Sequence, residues 1–348
     1  MATTIDLLTL TMAPGVDSRL LQAIAGRGPG DVVRRPSDHA DLLPARALKA
    51  LGGGAARRDS ETEMSRASQL GIKLVGWDEP DYPPLLRRLY DPPAVLYVKG
   101  SLRAGEGDRA VTVVGSRAAS PQGCEWARRA ARELAGEGAS VVSGLARGID
   151  SAAHLGSLEA EGRTVAVLGT GVDRVYPPEN QGLASAIAER GALVSEFRLG
   201  TGPWRSNFPR RNRVLAGWGR GVVIVEAAQR SGALVTARLA LEEGREVMAV
   251  PGHPGYPGAA GTNSLIRDGA ALVRDASDVA DELGWPRPKA ADSSADAIVE
   301  AMAPGLPIGL EELAGRLDCP PGELLSRLSQ LEIERQVRRL PGALYVRN

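Results

Sequence analysis

The chain has 348 residues, of which 42 are basic and 42 are acidic, so its formal net charge at pH 7 is zero. A chain of this kind is not a polycation, and any nucleic-acid site must therefore be a local patch. The length allows two or three domains. No run of about 18 apolar residues occurs, which excludes a transmembrane helix.

The N-terminus and the cysteines indicate the compartment. The first residues lack the basic stretch, apolar core and small-residue cleavage site of a secretory signal. The two cysteines, Cys124 and Cys319, lie far apart and have no metal-ligand spacing. Such cysteine usage is typical of a reducing cytoplasm, so we expect a cytoplasmic protein without disulfides or a zinc site.

Short helices are predicted for the N-terminal region. Leu20, Leu21 and Ile24 recur at helical spacing after a Pro14-Gly15 turn. Residues 1–65 are therefore interpreted as a helical SAM-like (helix-hairpin-helix) module. The same pattern also fits helices that only pack against their neighbours. Residues 52–65 lack periodicity, which favours a linker or an exposed turn leading into a helix.

Residues 66–285 have the pattern of an α/β domain. Near-continuous apolar runs alternate with stretches of helical length, which argues for a parallel sheet covered on both faces. We predict a Rossmann-like, doubly wound, mostly parallel sheet. The predicted strands are Val111–Val114, Ser140–Ser143, Thr164–Leu168, Leu193–Ser195, Val222–Val225 and Val247–Val250.

Glycines and arginines follow several of these strands. Gly115-Ser116-Arg117 follows the first, and Ser143-Gly144 leads to Arg147 after the second. Glycine lets a backbone approach a ligand closely, and free amides at helix N-termini favour anions. Because ligands sit at the carboxyl ends of parallel strands, these turns predict a phosphate-binding edge.

Cofactor and catalytic motifs are missing. The chain has no GxGxxG after its first strand, no P-loop, no GxSxG and no HExxH, so we expect no cofactor, no bound metal and no catalytic residues. The three histidines lie in separate regions, and His154 is expected to be packed and hydrogen-bonded. Glu196 and Glu226 are expected to cap helices or to pair with arginines.

The densest charge signal is the segment 203–220, PWRSNFPRRNRVLAGWGR, which has five arginines and no acid. Trp204 and Phe208 are interleaved with these arginines. Cations for the backbone and flat side chains for the bases are what a single-stranded nucleic-acid site requires. The alternative is a solvated basic helix start whose aromatic side chains enter the core. Arg230-Ser231-Gly232 adds another cation at the same predicted edge.

Seven motifs occur in order along the central region: VGSRAASPQG, SGLARGIDSAAH, AVLGTGVDRVYPPEN, NFPRRNRVLAG, VVIVEA, SGALVTARLAL and GTNSLIRDGA. In this arrangement the chain closely resembles the DNA processing protein A family (DprA, also called Smf), over nearly its whole length. One departure is PGHPGYP at residues 251–257, where the family is expected to have an Asn-Ile-type loop.

The resemblance implies a non-enzymatic protein that binds incoming single-stranded DNA during natural transformation (competence). It also implies protection of that DNA, loading of the RecA recombinase in homologous recombination, and a homodimer formed through the Rossmann-like domain. The residues and the resemblance together give the expected DNA-binding set, which is Gly115, Ser116, Arg117, Ser143, Gly144, Arg147, Arg205, Asn207, Phe208, Arg210, Arg211, Asn212, Arg213, Arg230, Ser231 and Gly232.

The C-terminal region is predicted to be separate. A proline-containing linker over residues 286–294 precedes it. Within 295–348, two helical patterns are followed by two short alternating runs across Pro341-Gly342, which predicts a winged-helix-like domain. Such domains bind DNA or protein, and the interspersed glutamates favour a protein contact or a scaffold role.

A second class of function fits the same fold. A nucleotide-processing enzyme of the lysine-decarboxylase-like group would have a PGGxGTxxE motif, with glycines for phosphate and an acid for catalysis. Here Pro251-Gly252 is followed by His253-Pro254. Turnover of nucleoside monophosphates, compared with binding of a single-stranded oligonucleotide, distinguishes the two hypotheses.

Overall fold

Five helices precede the sheet in the computed structural model, which describes residues 3–286, 295–303, 305–333 and 336–347. The first is held by a capping box in which the Thr3 hydroxyl and the Asp6 carboxylate satisfy each other's backbone amides. The five helices are α1 (Thr4–Met12), α2 (Ser18–Ala25), α3 (Pro29–Arg34), α4 (Ala45–Gly52) and α5 (Ala55–Gln69).

Helix α5 replaces most of the segment that the sequence favoured as a linker or exposed turn. The run Gly52-Gly53-Gly54 ends α4, and Gly54 takes a left-handed conformation with φ of +70° just before α5 starts. The buried face of α5 consists of Ala56, Ser60, Glu63 and Ala67. Small and polar residues at helical spacing give no hydrophobic periodicity, which is why the sequence pattern places the start of this helix too late.

A nine-stranded sheet follows, and its strands alternate with further helices. The strands are β1 (Ile72–Gly76), β2 (Val95–Gly100), β3 (Ala110–Val114), β4 (Ser140–Ser143), β5 (Thr164–Val167), β6 (Ala192–Ser195), β7 (Gly221–Ile224), β8 (Glu246–Ala249) and β9 (Ala271–Leu272). Their order is β1-β2-β6-β5-β4-β3-β7-β8-β9. Strands β1 and β2 are antiparallel to their neighbours, and the others run parallel. The predicted mostly parallel, doubly wound sheet is confirmed.

The strand order reverses at β3. From β3 the chain builds outward through β4, β5 and β6, and it then returns to place β7 on the other side of β3. The carboxyl ends of β3 and β7 are therefore followed by loops that diverge to opposite sides. Such a switch point leaves a crevice at the sheet edge, where ligands of open α/β folds bind.

Helices cover both faces of this sheet. They are α6 (Pro84–Arg87), α7 (Pro121–Gly136), α8 (Ile149–Glu159), α9 (Gln181–Arg190), α10 (Asn207–Trp218), α11 (Gly232–Glu242), α12 (Ala260–Arg267) and α13 (Ala276–Glu282). Along β3, Val111 and Val113 pack in the cluster that includes α7, α8 and α13. Ala110 and Val114 pack in the cluster that includes α9, α10 and α11. This alternation explains why β3 is buried at every position.

The chain forms two compact units, Met1–Pro286 and Arg287–Asn348. The N-terminal helices belong to the first unit together with the sheet, and helix α1 contributes Leu7, Leu8 and Leu10 to its core. The predicted domain boundary at residue 65 stays a prediction, and most of the predicted linker over 286–294 lies outside the described residues.

The second unit has a core of its own, formed by Leu313, Leu324, Leu328 and Tyr345 among others. Three helices and a small antiparallel sheet of three strands surround that core, and the last two helices lead into the wing. This is the helix-helix-wing pattern expected from the sequence. The elements are α14 (Ala295–Glu300), β10 (Ile308–Gly309), α15 (Leu310–Leu317), α16 (Pro321–Ile333), β11 (Val337–Leu340) and β12 (Leu344–Arg347).

None of the helices in the described part of the chain has both the length and the apolar character that a membrane span requires.

The α7–α8 contact depends on one glycine. A Cβ atom on Gly156 would lie 1.9 Å from the backbone oxygen of Arg128, so no side chain fits there without moving a helix. We expect Gly156→Ala to lower the free energy of unfolding by about 3 kcal/mol through overpacking. Urea denaturation followed by circular dichroism measures the change.

Gly182 in α9 is the matched control, because no atom lies within 4 Å of its Cβ position. Gly182→Ala is expected to raise stability by about 0.5–1 kcal/mol, since it only removes backbone freedom from a helix. Equal effects of the two substitutions would contradict the proposed packing constraint.

Candidate functional site

A cleft of about 530 Å³ opens at the switch point, between the loop after β3 and the loop after β7. We call it the switch-point cleft. Several of the residues expected from the sequence line it, namely Gly115, Ser116, Arg117, Phe208, Arg211, Asn212, Ser231 and Gly232. Segments far apart in the chain therefore meet at one edge of the sheet, where the sequence predicts a phosphate-binding edge.

Side chains of helix α10 line two different surfaces of the protein. Phe208, Arg211, Asn212 and Leu215 follow helical spacing and line the switch-point cleft. Arg210 and Arg213 project elsewhere and line a separate groove of about 710 Å³, next to α1 and α2. The dense arginine run is therefore not one patch.

At the cleft, the guanidinium group of Arg117 lies over Phe208, which packs against Tyr176. The Arg117 guanidinium carbon lies 5.2 Å from the centroid of the Phe208 ring, within range of a cation–π interaction. The Phe208 and Tyr176 ring centroids are 5.8 Å apart with an interplanar angle of 52°. Arg117 is exposed and Phe208 is half-buried. Flat faces and an accessible cation are thus combined at one place.

Arg211 lies beneath this surface, and its Nη1 is bonded to the backbone of the sheet edge. It donates to the carbonyl of Gly144 at 3.0 Å and to the carbonyl of Val167. Burial lowers its pKa to about 10, so the side chain stays protonated at neutral pH. Burial raises the pKa of the neighbouring Asp150, and Arg211 opposes that rise.

Glycines make this arrangement sterically possible. A Cβ on Gly144 would lie 2.6 Å from Arg211 Nη1 and 2.7 Å from Asp150 Oδ2. Gly148 has φ of +72°, and a Cβ there would meet the Ser116 carbonyl at 2.4 Å. The glycines of SGLARG therefore let the β4 loop close against the β3 loop.

Other expected site residues are used within the fold. The Ser143 hydroxyl is buried and donates to the Val113 carbonyl at 2.7 Å. The Asn207 amide donates to the Gly169 carbonyl at 3.0 Å. Arg147 is exposed and pairs with Glu179 next to Tyr176 and Phe208, where it lines a small recess. Arg205 and Arg230 are exposed and do not line the cleft, although Arg230 adjoins Ser231, which does.

Arg213 is not brought to the switch-point cleft. Its side chain is 14% exposed, and it pairs with Glu196 at 2.5 Å and with Asp91 at 3.4 Å. Glu196 is 4% exposed and also accepts Arg210 at 3.0 Å. The expectation that Glu196 pairs with arginines is confirmed, and its buried carboxylate explains why Arg213 is held there.

Glu226 and His154 also have structural partners. Glu226 accepts a hydrogen bond from the Ser120 amide at 3.0 Å at the start of α7, and it pairs with hydroxyls rather than with an arginine. His154 is buried, with Nδ1 2.7 Å from the Thr164 hydroxyl, and burial lowers its pKa to about 3. The expectation of a packed, hydrogen-bonded histidine is confirmed.

Tyr176 was not selected from the sequence. It lies in the VYPPEN segment after β5 and is 38% exposed. A single tyrosine in a loop gives no sequence signal of its own, because partly exposed tyrosines are common in folded proteins. Only the fold shows that it meets Phe208.

Two family models match the chain. One, described as DNA recombination-mediator protein A, matches residues 73–284, and another, described as DprA winged helix domain, matches residues 285–343. Protein Smf of Escherichia coli K12 is 38% identical over 306 residues, which cover 84% of this chain and 81% of that protein.

Solved structures agree with this match. The X-ray structure of DNA processing protein A (DprA) from Streptococcus pneumoniae aligns with a TM-score of 0.66 and 33% identity, covering 81% of this chain and 98% of that chain. A structure of DprA from Helicobacter pylori, reported for its unique single-stranded DNA binding mode, aligns with a TM-score of 0.55 and 28% identity. It covers 61% of this chain and 95% of that chain.

The fold and the site define a Rossmann-like α/β protein with a cationic, aromatic cleft at its switch point, joined to a winged helix domain. With the matches above, the chain belongs to the DNA recombination-mediator protein A family, whose members are called DprA or Smf. The resemblance inferred from the seven motifs is confirmed.

The two kinds of arginine should differ in stability measurements. Arg213→Ala leaves the buried Glu196 with only Arg210 as a partner, so we expect a loss of about 2–3 kcal/mol in the free energy of unfolding. Arg117→Ala removes an exposed side chain and should cost no more than about 0.5–1 kcal/mol. Urea midpoints measure both changes, and a destabilised Arg117→Ala with an unaffected Arg213→Ala would reverse the assignment.

Proposed function

We propose that the switch-point cleft binds single-stranded DNA. The observation that carries the proposal is the exposed Arg117 guanidinium held over Phe208, with Tyr176 beside it, at the carboxyl edge of the sheet. A phosphate would bind Arg117 and the backbone amides of the glycine-rich loops, while a base would stack on the aromatic faces. The single-stranded DNA binding mode reported for the Helicobacter pylori relative supports this choice of ligand.

A single strand fits the chemistry of the cleft better than a duplex does. The aromatic faces can only be used by bases that have left the stack, which a duplex does not offer. Contacts to phosphate do not distinguish one base from another, so little sequence preference is expected. Because the chain as a whole is neutral, the attraction comes from the local cations and should be sensitive to salt.

The proposed strand path extends beyond the cleft. Trp204 is 64% exposed, and the neighbouring Arg205 is exposed as well, just before α10 begins. Arg230 precedes the N-terminus of α11, whose cap is the Ser231 side chain. Arg205 lies three residues before Phe208 and Arg230 adjoins Ser231 of the cleft, so we infer that both arginines contact nucleotides next to the one bound at Phe208.

Membership of a recombination-mediator family supports a wider role. We infer that the chain protects DNA that enters during natural transformation and loads the RecA recombinase onto it. We also infer that it acts as a homodimer in the cytoplasm and binds the strand without chemical turnover. These finer statements rest on the family, and the cleft contributes only the strand-binding step.

Replacement of Arg117 tests the ionic contact. Arg117→Ala should weaken binding of a fluorescent single-stranded oligonucleotide, and the slope of log affinity against log salt should flatten by roughly 0.7. Fluorescence anisotropy at several salt concentrations gives both quantities. The matched control is Arg190→Ala, because Arg190 ends α9 just before β6 starts and therefore lies at the opposite edge of the sheet. Identical slopes for the two variants would rule out the cleft as the site.

Replacement of Phe208 tests base stacking. Phe208→Leu keeps an apolar side chain but removes the aromatic face, so we expect binding to weaken by about 1–3 kcal/mol with little loss of thermal stability. Anisotropy titration and thermal unfolding measure the two effects separately. Wild-type affinity in Phe208→Leu would show that Phe208 only packs against Gly169 and Tyr176.

A further inference from the structure

A second cavity lies at the carboxyl ends of β7 and β8. Its volume is about 440 Å³, within the range of small-molecule sites. The start of α7 and the loop 251–259 enclose it, and none of its lining residues lines the switch-point cleft. We call it the β7–β8 pocket. Nothing in the proposed strand-binding function uses it.

One charged side chain is built into this pocket. Glu226 is 8% exposed and accepts hydrogen bonds from the Ser120 amide at 3.0 Å, the Tyr256 hydroxyl at 3.2 Å and the Ser120 hydroxyl. A Cβ on Gly123 would lie 2.4 Å from Glu226 Oε1, so a glycine is needed where the carboxylate sits. A carboxylate has about four acceptor positions, and these donors use three of them.

The three donors to Glu226 are neutral, so its charge is not cancelled by them. A ligand that donates an N–H to the remaining acceptor position would be favoured, because hydrogen bonds to charged groups are the stronger ones. A phosphate would be repelled by the same carboxylate. The charge of the β7–β8 pocket is therefore opposite to that of the switch-point cleft, where the exposed Arg117 provides positive charge.

Aromatic side chains form walls of the pocket, and one of them, His253, offers a hydrogen-bond donor. The Trp126 indole N–H donates to the Arg274 carbonyl at 2.7 Å, which fixes the plane of the ring. Nδ1 of His253 accepts from the Gly255 amide at 3.1 Å, so the neutral ring carries its proton on Nε2. Tyr256, which is 37% exposed, forms part of another wall. Val225 and Val250 at the strand ends add apolar surface.

We propose that the β7–β8 pocket binds a nucleobase. Each natural base is a flat heteroaromatic ring with an N–H donor for Glu226 and an acceptor for the His253 donor, and aromatic walls provide stacking surface. The sugar and any phosphate would point out of the pocket, away from the carboxylate. The base would come either from a free nucleoside or from a strand, and this inference does not depend on the strand-binding proposal.

Binding of uncharged 2′-deoxynucleosides tests the proposal, because they lack the phosphate that the switch-point cleft requires. Isothermal titration calorimetry of the full chain with each of the four deoxynucleosides should show saturable binding of at least one. We expect Glu226→Gln to weaken it at least about tenfold, since an amide places an N–H donor where the Ser120 donors need an acceptor. His253→Ala, at an exposed position, should weaken it about threefold to tenfold without unfolding the chain.

Arg117→Ala is the control variant and should leave deoxynucleoside binding unchanged while it weakens oligonucleotide binding. Absence of saturable binding by all four deoxynucleosides at millimolar concentration would overturn the proposal. The proposal would also be overturned if the folded single variants His253→Ala and Glu226→Gln both bound deoxynucleosides as tightly as the wild type does. Competition by an unlabelled oligonucleotide would support a base from a strand, and its absence would support a free nucleoside. If the deoxynucleosides do not bind but the oligonucleotide does, only the proposal for the β7–β8 pocket is refuted, and the strand-binding proposal stands.

Discussion

The buried guanidinium of Arg211 is the interaction on which the candidate site depends. It bonds helix α10 to the carbonyl of Gly144, just after β4, and to the carbonyl of Val167, the last residue of β5. Removing a charge of this kind from water is costly, and the cost is offset here by direct hydrogen bonds and by the nearby Asp150. Because Arg211 fixes α10 in rotation, it also fixes Phe208 and Asn212 at the cleft, one turn before and one residue after it.

Arginines in this chain have two distinct uses. Arg211 and Arg213 are held in the interior against carbonyls and carboxylates, whereas Arg117, Arg205 and Arg230 are exposed. A buried, paired arginine adds little to the outside potential, and an exposed one adds a charge that a phosphate can meet. The neutral net charge is consistent with this division, since many arginines have an acid of their own.

Glu226 connects the two cavities through its main chain and its side chain. Its carbonyl accepts the Ser116 amide at 2.8 Å, next to the switch-point cleft, and its carboxylate faces the β7–β8 pocket. Glu226, just beyond the end of β7, therefore holds the loop of the cationic cleft with its main chain and places its acidic side chain in the pocket. Adjacent surfaces of opposite sign favour different parts of a nucleotide, the phosphate at one and the base at the other.

The sequence by itself determined the fold class, because runs such as Val222–Val225 and Val247–Val250 are apolar at every position, as is typical of a parallel sheet buried on both faces. The ordered motifs were also sufficient for the family. They did not reveal the start of α5, whose buried face is small and polar, or the contact of Tyr176 with Phe208 across more than thirty residues of chain.

Only the tertiary structure decided which arginines face solvent. Arg210, Arg211 and Arg213 are nearly adjacent in sequence, yet Arg211 lies on one surface of α10 and the other two lie on another. Helical spacing separates their directions, but the location of Glu196 and of the β4 and β5 carbonyls determines what each one meets. Those partners come from other strands, and local sequence carries no information about them. The fold brings them together because burial of the sheet on both faces fixes where every loop ends.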